Sequence, residues 1–220
     1  MKIALVHLSD IHLRSSHDVV LTRKKYFVAA CRPVFQECDH AIIVVSGDIA
    51  FSGKKEEYDI AYSFFKDIEA SLVEEHRNIK TFNWVLVPGN HDCDFIDQEI
   101  REDVLKAVEN QDSIDDKRKE YLLTPQKSFW DFYGSLLGQQ INDYVSFQRI
   151  IDIDGLSLIF NCYNTALYSR LHEVAGSLIV PENAMLQRKI SRNHGVMISV
   201  FHHNSGWLSS STRNNNKKHP

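Results

Sequence analysis

The sequence predicts an α/β fold, and three observations carry that prediction. Apolar runs of strand length alternate with longer stretches whose apolar residues recur at helical spacing. One run, Ala41-Ile42-Ile43-Val44-Val45, is continuously apolar and largely β-branched, the composition of a strand covered on both faces. Each of the first three runs stops at a polar cluster that contains Asp or His.

The first run, Ile3 to Leu8, stops at Ser9-Asp10. Leu21 to Phe35 is predicted as a helix with Tyr26, Ala29, Ala30 and Val34 along its apolar face and Pro33 near its end. The second strand, Ala41 to Val45, stops at Ser46-Gly47-Asp48, and a helix from about Lys54 to Glu75 is expected to bury Tyr58, Ala61, Tyr62, Phe65, Ile68 and Leu72. The third strand, Phe82 to Val87, runs into Pro88-Gly89-Asn90-His91-Asp92. Pro-Gly-Asn is turn chemistry, but a turn does not ask for His91 or Asp92.

Residues 94 to about 142 form a charged, helical insert, in which Phe129, Trp130, Phe132 and Tyr133 are expected to cover core or a pocket rim rather than to stack on substrate. Tyr144 to Ile153 and Leu156 to Asn161 read as a hairpin through Asp154-Gly155. Pro181 opens a further helix to about Ser191. A last strand, Val196 to Phe201, ends in His202-His203-Asn204. In open α/β sheets, sites form outside the carboxyl ends of the strands, so these clusters are expected side by side. The pocket walls are expected from the 94–142 insert and from the loop around Tyr163 to Ala175.

At 220 residues, 43% hydrophobic and 25% charged, the chain has the size and composition of one globular domain. It is assigned to residues 1–208, with a polar tail, 209–220, expected to be frayed or disordered. A formal net charge of -4 does not advertise a broad nucleic-acid surface, although a local basic patch stays open. No run reaches the length of a membrane span, and the apolar start is too short for a signal-peptide core. The four cysteines form no C-x-x-C pair, which suggests reduced thiols in a cytoplasmic protein.

Asp10 and His12 flank Ile11, and in an extended segment their side chains would point the same way, toward one ion. Asp48, Asn90, His91 and His202 come from the other strand ends, and carboxylate, imidazole and amide oxygen together suit manganese, iron or zinc better than a thiolate zinc site. Four ordered motifs, D-I-H at Asp10 to His12, G-D at Gly47 to Asp48, G-N-H-D at Gly89 to Asp92 and H-H at His202 to His203, resemble those of the calcineurin-like metallophosphoesterases, from Lys2 to about Trp207. SGDIAFSGKKEEY, from Ser46 to Tyr58, is similar to the same region in the branch that includes cyclic-nucleotide phosphodiesterases.

The resemblance implies a two-sheet sandwich flanked by helices with a two-metal centre, hydrolysing a phosphomonoester or phosphodiester, nucleotides included, with a metal-activated hydroxide. By it, Asp10 and His12 would bind the first divalent ion, Asp48 would bridge both, and Asn90 and His202 would bind the second. His91 would face the substrate; Asp92 would orient His91 or its loop, and His203 would have a supporting or structural role. The family also has a G-H-x-H motif, which this sequence does not contain after His203. The domain is therefore expected to be truncated at its C-terminal end, as a piece of a longer protein with further C-terminal domains or as a weakened enzyme. Two rival readings are a nuclease of the double-strand-break-repair type, which shares these motifs, and a non-catalytic binding or sensor module of a multidomain protein.

Overall fold

A computed structural model describes residues 1–95, 98–109, 115–181, 195–210 and 212. Strands β1 (Ile3–Leu8), β2 (His40–Ser46) and β3 (Thr81–Val87) form one sheet in that order, parallel throughout. Between them run helices α1 (Val19–Thr22), α2 (Lys24–Phe35) and α3 (Lys55–Glu75). After the insert, which holds α4 (Gln98–Glu109), α5 (Asp116–Leu123) and α6 (Lys127–Leu137), come β4 (Ser146–Ile153), β5 (Leu156–Tyr163) and β6 (Gly195–Val200). These form a second sheet in which β4 pairs antiparallel and β6 parallel with β5. The helix predicted from Pro181 to Ser191 lies outside the described residues.

Parallel pairing explains why the polar clusters meet, since all three strands of the first sheet point their carboxyl ends the same way. Every residue of β2 is buried, as its β-branched run required. One hydrophobic core holds residues of both sheets together with α2, α3 and α6. Arg149 on β4 also donates to the Trp84 carbonyl on β3, 3.3 Å away.

Helix α3 buries Tyr58, Ala61, Phe65, Ile68 and Leu72, whose spacing of three and four keeps one stripe on the sheet. Tyr62, also expected on that face, is 38% exposed. The predicted face of α2 is corrected more fully: Val28, Cys31 and Phe35 are buried, whereas Tyr26, Ala29, Ala30 and Val34 are exposed. Cys31 acts there as a small hydrophobe, and the helix continues through Pro33 to Phe35. Phe129, Phe132 and Tyr133 of α6 are core residues in edge and tilted contact with Tyr58, Phe65 and Phe147.

A smaller cluster packs Leu105, Val108 and Leu122 of the insert against Leu167, Tyr168, Leu178 and Leu208. The start of the expected polar tail is not free of the fold. Ser209 and Thr212 are buried, Ser209 N donates to the Leu178 carbonyl at 2.8 Å, and Val180 N donates to Thr212 Oγ1 at 3.2 Å. All four cysteines are unbridged and buried. Among the described residues, no helix is long and apolar enough to cross a membrane.

Phe65 lies parallel to the Trp84 ring, centroids 4.9 Å apart at 5°, and touches Phe132 from α6. Phe65→Ala is expected to cost about 3–5 kcal/mol in urea unfolding, against under about 1 kcal/mol for Tyr62→Ala on the exposed side.

Candidate metal centre

The loops after β1 and β2 run side by side beyond the strands. Asp10 N donates to the Gly47 carbonyl at 3.2 Å, His12 N to Asp48 O at 3.0 Å and Leu13 N to Ile49 O at 2.9 Å. The backbone there is not extended, which corrects the geometric reason given for Asp10 and His12. Asp10, His12 and Asp48 have φ of 56°, 53° and 55°, in the left-handed region that costs L residues about 1 kcal/mol or more each. The two side chains still converge, with His12 Nε2 3.8 Å from Asp10 Oδ1 and 3.7 Å from Asp48 Oδ2.

Two glycines make this approach possible. A Cβ on Gly89 would run into the Asp48 carboxylate, and Gly47, at φ 98°, has the His202 ring and the Gly89 backbone where its Cβ would stand.

Asp48 sits at the centre, buried, with Oδ1 accepting the His91 backbone N–H at 2.9 Å and Oδ2 3.4 Å from His202 Nε2. His202 Nε2 is also 3.1 Å from Asn90 Oδ1, while its Nδ1 is 2.8 Å from the Ser46 carbonyl. A carbonyl only accepts, so Nδ1 carries a hydrogen and Nε2 faces two oxygens. A second ring proton on Nε2, or a metal ion beside it, would satisfy both oxygens. Burial would lower the pKa of His202, but the bond to and charge of Asp48 carry it up to about 9. Burial likewise works to raise the pKa of Asp48, and His202 together with the His91 N–H brings it below the ordinary value of 3.8.

Metal-binding atoms fall into two groups, His12, Asp48 and His91, and Asp10, Asp48 and His202, each with its atoms within 4.8 Å of one another. Both contain Asp48. His12 Nδ1 is buried without a hydrogen-bond partner, and the carboxylate and imidazole donors are of the type that holds divalent transition ions, so the residues fit such ions. Asn90 joins through its contact with His202. His91 has its Nδ1 fixed on the Phe51 carbonyl at 2.7 Å, which leaves Nε2 as its available nitrogen.

Asp92 is fully buried and does not bond the His91 ring. It accepts from Ile49 N at 3.0 Å, Ala50 N at 2.9 Å, Gly89 N at 2.8 Å and the Tyr58 hydroxyl at 2.8 Å. Of the two tasks expected of it, the loop-holding one is present. Burial and the neighbouring Asp48 charge push its pKa up to about 6, against the donors that favour its ionised form. His203 is buried between Thr165 Oγ1 at 2.9 Å and Glu173 Oε2 at 3.1 Å and belongs to neither metal group.

These side chains line a cavity of about 530 Å³, walled also by Leu171, His172, Glu173, Asn204 and Trp207. The loop after β5 thus supplies wall residues as expected, but among the described residues none that line the cavity come from the 94–142 insert. The insert braces the wall from behind instead. Buried Arg101 donates to the carbonyls of Leu167 and Ser169, and Arg170 pairs with Glu102 and Glu109. Trp207, at the end of the stretch covered by the family resemblance, was not expected at the site, since it belongs to no periodic pattern.

These strand-end residues gather around a shared aspartate. The family model for calcineurin-like phosphoesterases matches residues 3–217, and the chain belongs to that family. It is 27% identical to an uncharacterized metallophosphoesterase-like protein, YydB, of Bacillus subtilis (strain 168), over all of this chain and 46% of that protein's length. The chain thus spans about half the length of the curated relative it matches.

Asp92→Ala would strand three buried amides and a tyrosine hydroxyl, and is expected to destabilise the chain by about 3 kcal/mol or more in urea, with Asp92→Asn milder. The pH dependence has a defined sign in the metal-free chain. With His202 raised from 6.5 to about 9, its pairing with Asp48 stabilises fully below pH 6.5 and is lost as pH rises through about 9. The lowered Asp48 contributes above 3.8 and loses its contribution as pH falls. A divalent ion held by His202 would displace its proton, so divalent-ion affinity measured by calorimetry is expected to rise with pH up to about 9, with proton release on binding.

Proposed function

We propose that the chain is a hydrolase of phosphomonoesters or phosphodiesters working with two divalent ions, manganese, iron or zinc. The single observation that carries this reading is Asp48, common to both groups of metal-binding atoms. A bridging carboxylate offsets the repulsion between two cations held close together. In this reading Asp10 and His12 hold one ion, Asn90 and His202 the other, and Asp48 both.

When bound, such ions lower the pKa of water and neutralise phosphoryl charge. The chain's own residues do the rest. His91, oriented by the Phe51 carbonyl, presents Nε2 to a phosphoryl oxygen or to the departing ester oxygen, where it donates a proton. Its nitrogen also groups with His12 and Asp48, so a ligand role is the competing assignment, and the metal content of a His91 variant separates the two. Asp92 keeps the β2 and β3 loops in register, and residues Leu171 to Glu173 and Trp207 wall the cavity.

A second reading is a domain that binds metal or ligand without turnover. The test is elemental analysis together with hydrolysis of p-nitrophenyl and bis-p-nitrophenyl phosphate in manganese. Asp48→Ala and Asn90→Ala are expected to lose metal and turnover together. His91→Ala should retain metal while kcat falls by at least about 100-fold. Undiminished turnover in Asp48→Ala would sink the mechanism, and metal binding without turnover in the unaltered chain would favour the second reading.

A further inference from the structure

The three tryptophans are not used alike. Trp84 is buried in the core with its indole N–H on Glu69 Oε2 at 3.1 Å, and Trp130 packs on α6 with its N–H on Gln126 Oε1 at 3.3 Å. Trp207 is half-buried at the wall of the metal-site cavity, and its indole N–H meets no acceptor among the described residues. A half-buried tryptophan on a cavity wall, with its indole N–H unpaired, is suited to contact a ligand that is partly flat and partly polar.

Its position is fixed rather than incidental. Trp207 N donates to the Asn204 carbonyl at 3.0 Å, and its own carbonyl accepts from Gly176 N at 3.2 Å and Leu178 N at 3.0 Å. The indole stands edge-on to His203, centroids 6.4 Å apart at 66°, and His203 is itself held by Thr165 and Glu173. The His203 ring in turn lies 4.8 Å from the ring of His202. A chain of two ring contacts therefore joins Trp207 to a candidate metal ligand. Of the four aromatic residues that the sequence singled out, Phe129, Phe132 and Tyr133 are buried in the core, and Trp130 is not among those lining the cavity.

We propose that Trp207 selects the substrate's organic group, and that this group is a flat aromatic one, a nucleobase or an aryl ring, packed on the indole while the phosphate lies against the metal centre. The proposal rests on the phosphoesterase reading and adds the substrate class to it. Trp207 does not touch the reacting atoms, so it governs KM and the choice among esters rather than kcat.

The experiment uses the manganese-loaded chain. Binding of inorganic phosphate, phenyl phosphate, adenosine monophosphate and glycerol phosphate is measured by calorimetry, and KM and kcat are measured for the esters, in the unaltered protein, Trp207→Leu and Trp207→Phe. The expected result is a preference of about tenfold for the aromatic esters over glycerol phosphate, lost in Trp207→Leu through KM and largely kept in Trp207→Phe. Metal content, thermal midpoint and phosphate affinity should not change in either variant. Preference for adenosine monophosphate over phenyl phosphate identifies a nucleobase, and the reverse an aryl ring. An unaltered protein that binds phosphate but treats aromatic and aliphatic esters alike, or a Trp207→Leu variant with an unchanged ratio, overturns the assignment of Trp207. Failure of the unaltered protein to bind phosphate or turn over any ester overturns the phosphoesterase reading itself.

Discussion

The centre depends first on a residue that is not a candidate ligand. The Asp92 carboxylate, fully buried, receives amides from Ile49 and Ala50 after β2, from Gly89 after β3, and the hydroxyl of Tyr58 from α3. One side chain thus sets the distance between two loops and anchors both to a helix. Asp48 and His91 lie on those loops, and the 2.9 Å bond from the His91 backbone to Asp48 exists only at that spacing. Burying a carboxylate costs free energy unless donors surround it, and here they do.

A second feature is stored positive-charge demand. Asp10, Asp48 and Asn90 aim oxygens at His12 and His202, and three of these residues adopt left-handed backbone that other side chains would avoid. Such conformations persist where surrounding bonds over-determine them, and the paired β1 and β2 loops supply those bonds. In the absence of a cation the raised pKa of His202 fills the demand with a proton. A metal ion held by His202 would have to replace that proton, which connects the electrostatics of the fold to the proposed chemistry.

Much of this was legible in the sequence because it depends on short-range pattern. The β-branched run at Ala41 to Val45 fixes a strand covered on both faces, and parallel order then brings the polar strand ends together. The candidate ligands stood out only together, as four motifs in family order at successive strand ends, since each alone is a common pattern. The buried face of α2 was misread because Cys31 and Val28 do the packing while the alanines face solvent, a choice made by the neighbouring sheet and not by the helix. The left-handed turns at Asp10 and His12 and the bond between His91 and the Phe51 carbonyl have no signature in residue type. Nor does Trp207, whose place depends on the contact of its turn with residues some thirty positions earlier, Gly176 and Leu178.

Because two groups of metal-binding atoms meet on a single carboxylate, the central claim concerns where ions sit relative to Asp48. The most direct test is a crystal structure of the manganese-loaded chain with anomalous scattering recorded at the metal edge. The account predicts two anomalous peaks flanking the Asp48 carboxylate, one beside Asp10 and His12 and one beside Asn90 and His202. A single peak remote from Asp48, or no peak at saturating manganese, would contradict it.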